Sequence, residues 1–261
     1  MIVQTSQSGR RIALALALVV LLALAAAVAL AERSDEGGGA REHGLIGLFT
    51  SLPILWRETP DLADVLVSDA PPHWAQAAIA DRGKLVAIDT LAPDGGPLPL
   101  DPDAILIIAQ PRPLAPEENV ALDDWVRGGG RLLLFADPLL TSHSAYALGD
   151  KRRPQDVVLL SPILARWGLA LHFDEAQPAG EHEVELFGGT APVNLPGSFT
   201  LSPGSAGCSI EAHGIAARCR IGAGRVIAVA DAAMLKDAPA NAVATRRTAL
   251  ERLLRHLASE N

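Results

Sequence analysis

The chain is poor in the residues that mark several protein classes. Of 261 residues, two are cysteine, two are methionine and 4% are aromatic. Two cysteines are too few for a disulfide scaffold or a four-cysteine zinc site. With so few rings, the core must be aliphatic. No Lys/Arg-rich block stands out and the formal net charge is −8, which argues against nucleic acid as a partner. No P-loop, GxGxxG, GxSxG or HExxH pattern occurs, and the seven histidines are scattered. His182, between Glu181 and Glu183, is the one closely bracketed by acids, and it reads as a solvated loop residue. Neither a catalytic triad nor a metal site nor a cofactor is expected.

What the chain does have is one long apolar run. Ile12 to Ala31 holds 20 residues without a charge, enough at ~1.5 Å per residue to span a hydrocarbon core of ~30 Å. Arg10 and Arg11 precede it, and Glu32, Asp35 and Glu36 follow. The positive-inside rule then predicts residues 1–11 as a cytoplasmic tail, 12–31 as an inner-membrane anchor and everything beyond as periplasmic. Ala29-Leu30-Ala31 before Glu32 also fits a signal-peptidase site, although the run is longer than the apolar core of a cleaved signal. Without residues 1–31 the remainder carries a formal −10, which disfavours anionic lipid surfaces. Residues 32–42, charged and Gly-rich, read as a linker.

From residue 43 to 258 apolar strand-like runs alternate with helical stretches. Strands are expected at 45–49, 85–88, 104–109, 131–136, 169–173 and 225–230, and helices at 71–81, 116–127 and 245–257. A helix over 156–167 must kink or start late at Pro162. Residues 141–155 show no periodicity and read as a surface loop. Residues 174–222, rich in Gly, Pro and Ser, read as a β-rich insertion. The order implies an α/β fold, a mostly parallel sheet flanked by helices.

Cys208 and Cys219 frame a hairpin folded about His213-Gly214. That fold sets Ser209 against Arg218 and the two cysteines opposite each other. Counting out from a two-residue turn gives them a hydrogen-bonded position with Cα atoms ~5.5 Å apart, and an exported domain would oxidise them to a disulfide.

One pattern occurs twice: GGGRLLLFAD at 128–137 and GAGRVIAVAD at 222–231. Each ends an apolar strand with Asp, and Asp89 leaves a third strand in the same way. Ligands of open α/β sheets bind outside the carboxyl ends of the strands, so Asp89, Asp137 and Asp231 could line one cleft, with His143 overhanging it. The alternative is that each Asp caps the next turn or pairs with an arginine.

Residues 103–140 resemble a recurring stretch in auxiliary components of uncharacterised ABC transport systems, the gliding-motility-associated proteins and the domain-of-unknown-function 4350 family. The shared features are the Ala104–Ala109 strand, the Pro113-Leu114 and Glu117-Glu118 helix start, Trp125, Gly128–Gly130, and a strand ending at Asp137-Pro138. Arg225–Asp231 resembles the family's closing strand. The resemblance implies a class I glutamine amidotransferase-like or flavodoxin-like fold without enzymatic activity. It also implies service to an ABC permease and ATPase through a bound partner or polar ligand. The competing expectation is an envelope hydrolase that uses the strand-end carboxylates.

Overall fold

Five apolar runs pack side by side as a parallel sheet because helices cover both faces. They are β1 (Leu45–Thr50), β2 (Lys84–Ala87), β3 (Ile105–Ala109), β4 (Arg131–Phe135) and, much later in the chain, β11 (Gly224–Val229). In β3, Leu106 and Ile108 enter one core while Ile107 and Ala109 enter the other. The same alternation sends Leu132 and Leu134 one way, and Leu133 and Phe135 the other. A strand buried on both sides needs no polar alternation, which is why these runs read as continuous hydrophobes. The computed structural model describes residues 44–58, 71–205 and 207–259. The expected cytoplasmic tail, anchor and linker (1–42) lie outside them. Among the described residues no helix is long and apolar enough to cross a membrane.

The first core lies under α2 (Pro116–Arg127) and α3 (Ser161–Arg166), the second under α1 (Trp74–Ala80) and α4 (Ala240–Ala258). Helix α3 begins at Ser161 with Pro162 in its first turn, where the missing amide donor costs nothing. Proline therefore delays this helix instead of kinking it. Helix α4 buries Leu250, Leu253, Leu254 and Leu257, the predicted stripe, but starts five residues earlier than the periodicity suggested.

Residues 174–222 do not form one separate insertion. β6 (His182–Glu185) and β7 (Thr190–Val193) make a two-stranded ribbon, while β8 (Ser198–Leu201) pairs back onto β5 (Leu169–His172). β9 (Cys208–Glu211) and β10 (Ala216–Ile221) join the main sheet. The seven-stranded order is β2-β1-β3-β4-β11-β10-β9, in which β10 alone runs against the others, antiparallel to both β11 and β9. The cysteine hairpin reads as an insertion because β10 exposes Arg218 and Arg220 on one face.

The hairpin register is as expected: Cys219 faces Cys208 and Arg218 faces Ser209, and the cysteines form a disulfide. Their position in the ladder differs. The Cα atoms are 4.0 Å apart, and beside them the Arg220 amide donates to the Gly207 carbonyl. That is a non-hydrogen-bonded site, where opposed residues approach more closely. The cause is the turn, where Ala212 as well as His213 and Gly214 adopts positive φ. The longer reversal shifts the alternation by one pair.

Candidate functional site

The twofold sequence pattern has a direct structural counterpart. β4 and β11 are parallel neighbours, with Arg131 opposite Arg225 and Phe135 opposite Val229. Continuing that register sets Asp137 beside Asp231. Close approach of β11 to α2 makes this possible, since a Cβ on Gly224 would overlap the Val126 carbonyl oxygen.

Both carboxyl groups are sealed, at 0% and 1% exposure. Asp137 accepts from the amides of Leu139 (2.9 Å) and Ala232 (3.1 Å). Asp231 accepts from Ala233 (2.6 Å) and Asn194 (2.9 Å). The pair thus stitches the exit of β4 to the exit of β11, and that to the segment after β7. Burial pushes the Asp137 carboxyl up to about 6, against the pull of its two amides. Burial, and then Asp137 itself, push Asp231 up to about 8. No cation bonds either group among the described residues. These are turn caps, the structural alternative stated above, and at 0% and 1% exposure they do not wall an open cleft.

Asp89 does not join them. It follows β2, the edge strand, three strands from β4. At ~4.8 Å per strand that is ~14 Å of lateral separation. His143 is exposed and overhangs a different cavity of about 340 Å³, with His73, Trp56 and Glu58. Glu58 accepts from the Ser144 hydroxyl (2.9 Å) and the Ala145 amide (2.6 Å), which pins the loop that carries His143. His73 accepts from the Ala75 amide to cap α1, and its Nε2 lies 3.2 Å from Asp237. Burial lowers its pKa, with Asp237 opposing.

A crevice that sequence reading missed opens where the strand order reverses, outside the ends of β1 and β3. Ligands of such sheets settle at this switch point. It holds about 300 Å³ between Thr50 at the end of β1 and Ser51 beyond it, Asp89 after β2, Arg112 after β3, and Lys151 and Arg152 from the 141–155 loop. Arg153 and Trp56 complete its rim.

Two of the lining residues, Ser51 and Gln155, are held by Gln110, which is fully buried at a positive φ of 45°. A non-glycine residue there is strained and persists only where its surroundings hold it. Here its side-chain oxygen accepts from the Asp137 amide (3.0 Å), and its nitrogen donates to the carbonyls of Asp137 (3.0 Å) and Gln155 (2.8 Å). The Gln155 amide in turn donates to the Ser51 hydroxyl (3.0 Å). The 141–155 loop, which read as plain surface, is therefore clamped onto the strand ends.

Arg112 is fixed from below. Its guanidinium makes a two-pronged pair with Glu118 (2.7 and 2.8 Å), reaches the Asp89 carbonyl (3.1 Å), and lies 5.1 Å over the Phe49 ring. Glu118, 2% exposed, also accepts from the amides of Ala115 and Leu91 and the Thr90 hydroxyl. Burial alone would raise its pKa. Arg112 and those donors outweigh burial and hold it at about 2. Arg152 pairs with Asp150 and stacks 4.2 Å from the Tyr146 ring centroid, and Arg153 pairs with Asp156. Lys151 makes no ion pair or hydrogen bond among the described residues. The signal for this site was in the sequence, as Lys151-Arg152-Arg153 is a run of three cations in an otherwise acidic chain.

No family model matches the chain. No curated protein is similar to it either. Among solved structures it is similar to the exo-β-1,4-mannosidase from Opitutaceae bacterium strain TAV5, with TM-score 0.43 and 15% identity over 88% of this chain and 37% of the mannosidase. It is also similar to the mmIFT52 N-terminal domain (TM-score 0.48, 10% identity, 84% of this chain and 98% of that one). A third is a GH42 β-galactosidase from G. stearothermophilus (TM-score 0.44, 11% identity, 82% and 30%). The chain spans about a third of the length of these glycosidases. At such scores the likeness carries no argument about function.

Proposed function

We propose that this chain is a non-catalytic periplasmic α/β domain, held in the inner membrane by residues 12–31. In this reading it is auxiliary to an ABC-type transport system and binds a partner protein or polar ligand at the carboxyl edge of its sheet. The observation that carries the reading is the contrast at that edge. The crevice at the β1/β3 switch point is open and lined with charged groups, whereas two of the three strand-end carboxylates, Asp137 and Asp231, are sealed and occupied by backbone amides, and only Asp89 reaches open volume. A hydrolase needs its carboxylates within reach of substrate, so their burial favours binding over turnover.

Counting β11 as the fifth parallel strand, the order 2-1-3-4-5 supports the flavodoxin-like, glutamine amidotransferase-like reading of the fold. The resemblance of residues 103–140 supports the transport role, and the disulfide suits an oxidising compartment.

The test is capture of the full-length chain from membranes in mild detergent. Co-purification of a permease and ATPase is expected, and their absence overturns the transport role. Reporter fusions after Glu42 should be active outside the cytoplasm, and activity only inside overturns the topology. An activity that Asp137→Asn with Asp231→Asn abolishes without loss of folding would restore the hydrolase.

A further inference from the structure

Resting on that reading of the sheet edge, we infer that the switch-point crevice is a binding site for a small dianionic oxyanion, such as a phosphomonoester or a dicarboxylate. The chain carries a formal −8, yet four cationic side chains, Arg112, Lys151, Arg152 and Arg153, converge on one cavity that holds a single carboxylate, Asp89. A local positive site on an acidic body focuses anions into it.

The four cations play different parts. Arg112 is locked by the buried Glu118 and forms a rigid wall. Lys151, exposed and unpaired among the described residues, lines the crevice with no acid to neutralise its charge. Arg152 and Arg153 rest on Asp150 and Asp156, solvent-screened surface pairs that a doubly charged ligand can displace. The Thr50 and Ser51 hydroxyls already donate to the Ala109 and Gln110 carbonyls, so they shape the wall without addressing the ligand. Recognition therefore falls to guanidinium and ammonium groups, the donors that suit phosphate and carboxylate oxygens. A volume of about 300 Å³ admits a small molecule. Trp56, 42% exposed on the rim, gives the ligand an apolar neighbour and the experimenter a reporter.

The experiment titrates the purified full-length chain with inorganic phosphate, glycerol phosphate and succinate, each against chloride at matched ionic strength, following tryptophan fluorescence and calorimetric heat. Saturable binding of at least one dianion is expected. It should weaken at least about tenfold in Lys151→Glu with Arg152→Glu, while Lys236→Ala beside the neighbouring cavity leaves it unchanged. The phosphate and succinate arms distinguish the two ligand sources. Overturning results are the absence of saturable binding by all three, equal competition by chloride, or binding that survives the double charge reversal in a chain with unchanged melting temperature. If no dianion binds while the transport partner still co-purifies, this inference falls and the proposed function stands.

Discussion

Two regions on the same edge of one sheet treat charge in opposite ways. At the ends of β4 and β11, Asp137 and Asp231 are buried together without a cation, and backbone amides occupy their oxygens. At the ends of β1 and β3, about two strands away, cations gather around open volume and their acidic partners sit beneath or outside it. The first arrangement closes the fold and the second leaves it something to bind. A charge that is desolvated and spent on caps is structural, whereas one held rigid beside water is available.

The comparison breaks most completely if the register of β11 is lost. Gly224→Ala drives a methyl group into the Val126 carbonyl and forces β11 off α2. The expected destabilisation is about 4 kcal/mol, measured by urea unfolding. A variant within about 1 kcal/mol of the parent would mean that β11 and α2 adjust freely, and the Asp pair would then owe nothing to that glycine.

Of similar size is the pH dependence of the pair itself. Both folded-state pKa values, about 6 and about 8, lie above the ordinary carboxylate value. The stability they contribute is therefore fully present at low pH and is lost as pH rises through those values. Glu181, held by Arg246, faces Asp231 and adds to the penalty. Stability should fall by roughly 5 kcal/mol between about pH 5 and about pH 8. Asp137→Asn with Asp231→Asn should flatten that profile, and the two melting curves should cross. Parallel curves would show that the carboxyls ionise freely, and the contrast with the crevice would disappear.

The legible and illegible parts divide along physical lines. The repeated GxGR…AD pattern set Asp137 and Asp231 at equivalent strand ends, and because equal strands beginning at equal glycines align in register, the two lie side by side. The Cys208–Cys219 register followed from counting out from a turn, although the added positive φ at Ala212, which no residue type announces, moved the pair to the other ladder position. Grouping Asp89 with the other two failed because strand order is a property of crossovers, and local pattern does not carry it. Gln110 escaped notice for a related reason. A lone polar residue after AILIIA reads as the start of a loop, and its role depends on partners 27 and 45 residues away.

Gln110 joins the two regions, since it holds Asp137 on one side and Gln155 on the other. Gln110→Ala should leave the buried Asp137 amide unsatisfied and release the clamp on the 141–155 loop. The expected loss is about 2 kcal/mol, with faster amide exchange at residues near Gln155. If exchange rises at Asp137 but not at Gln155, the loop is held by its own contacts and the regions are independent.

The smallest expected change in stability separates the regions most sharply. Lys151→Ala with Arg152→Ala removes two exposed cations whose single surface pair, to Asp150, contributes little. The melting temperature should shift by no more than about 1 °C, even as the crevice loses two of its four cations. The same number of charges removed from β4 and β11 would change the pH profile of the whole fold. A marked loss of stability in the lysine–arginine variant would mean that the loop is fastened by these side chains and not by Gln155. The cations would then be structural in the same sense as the buried carboxyls, and charge available for binding would have to be sought elsewhere on the sheet.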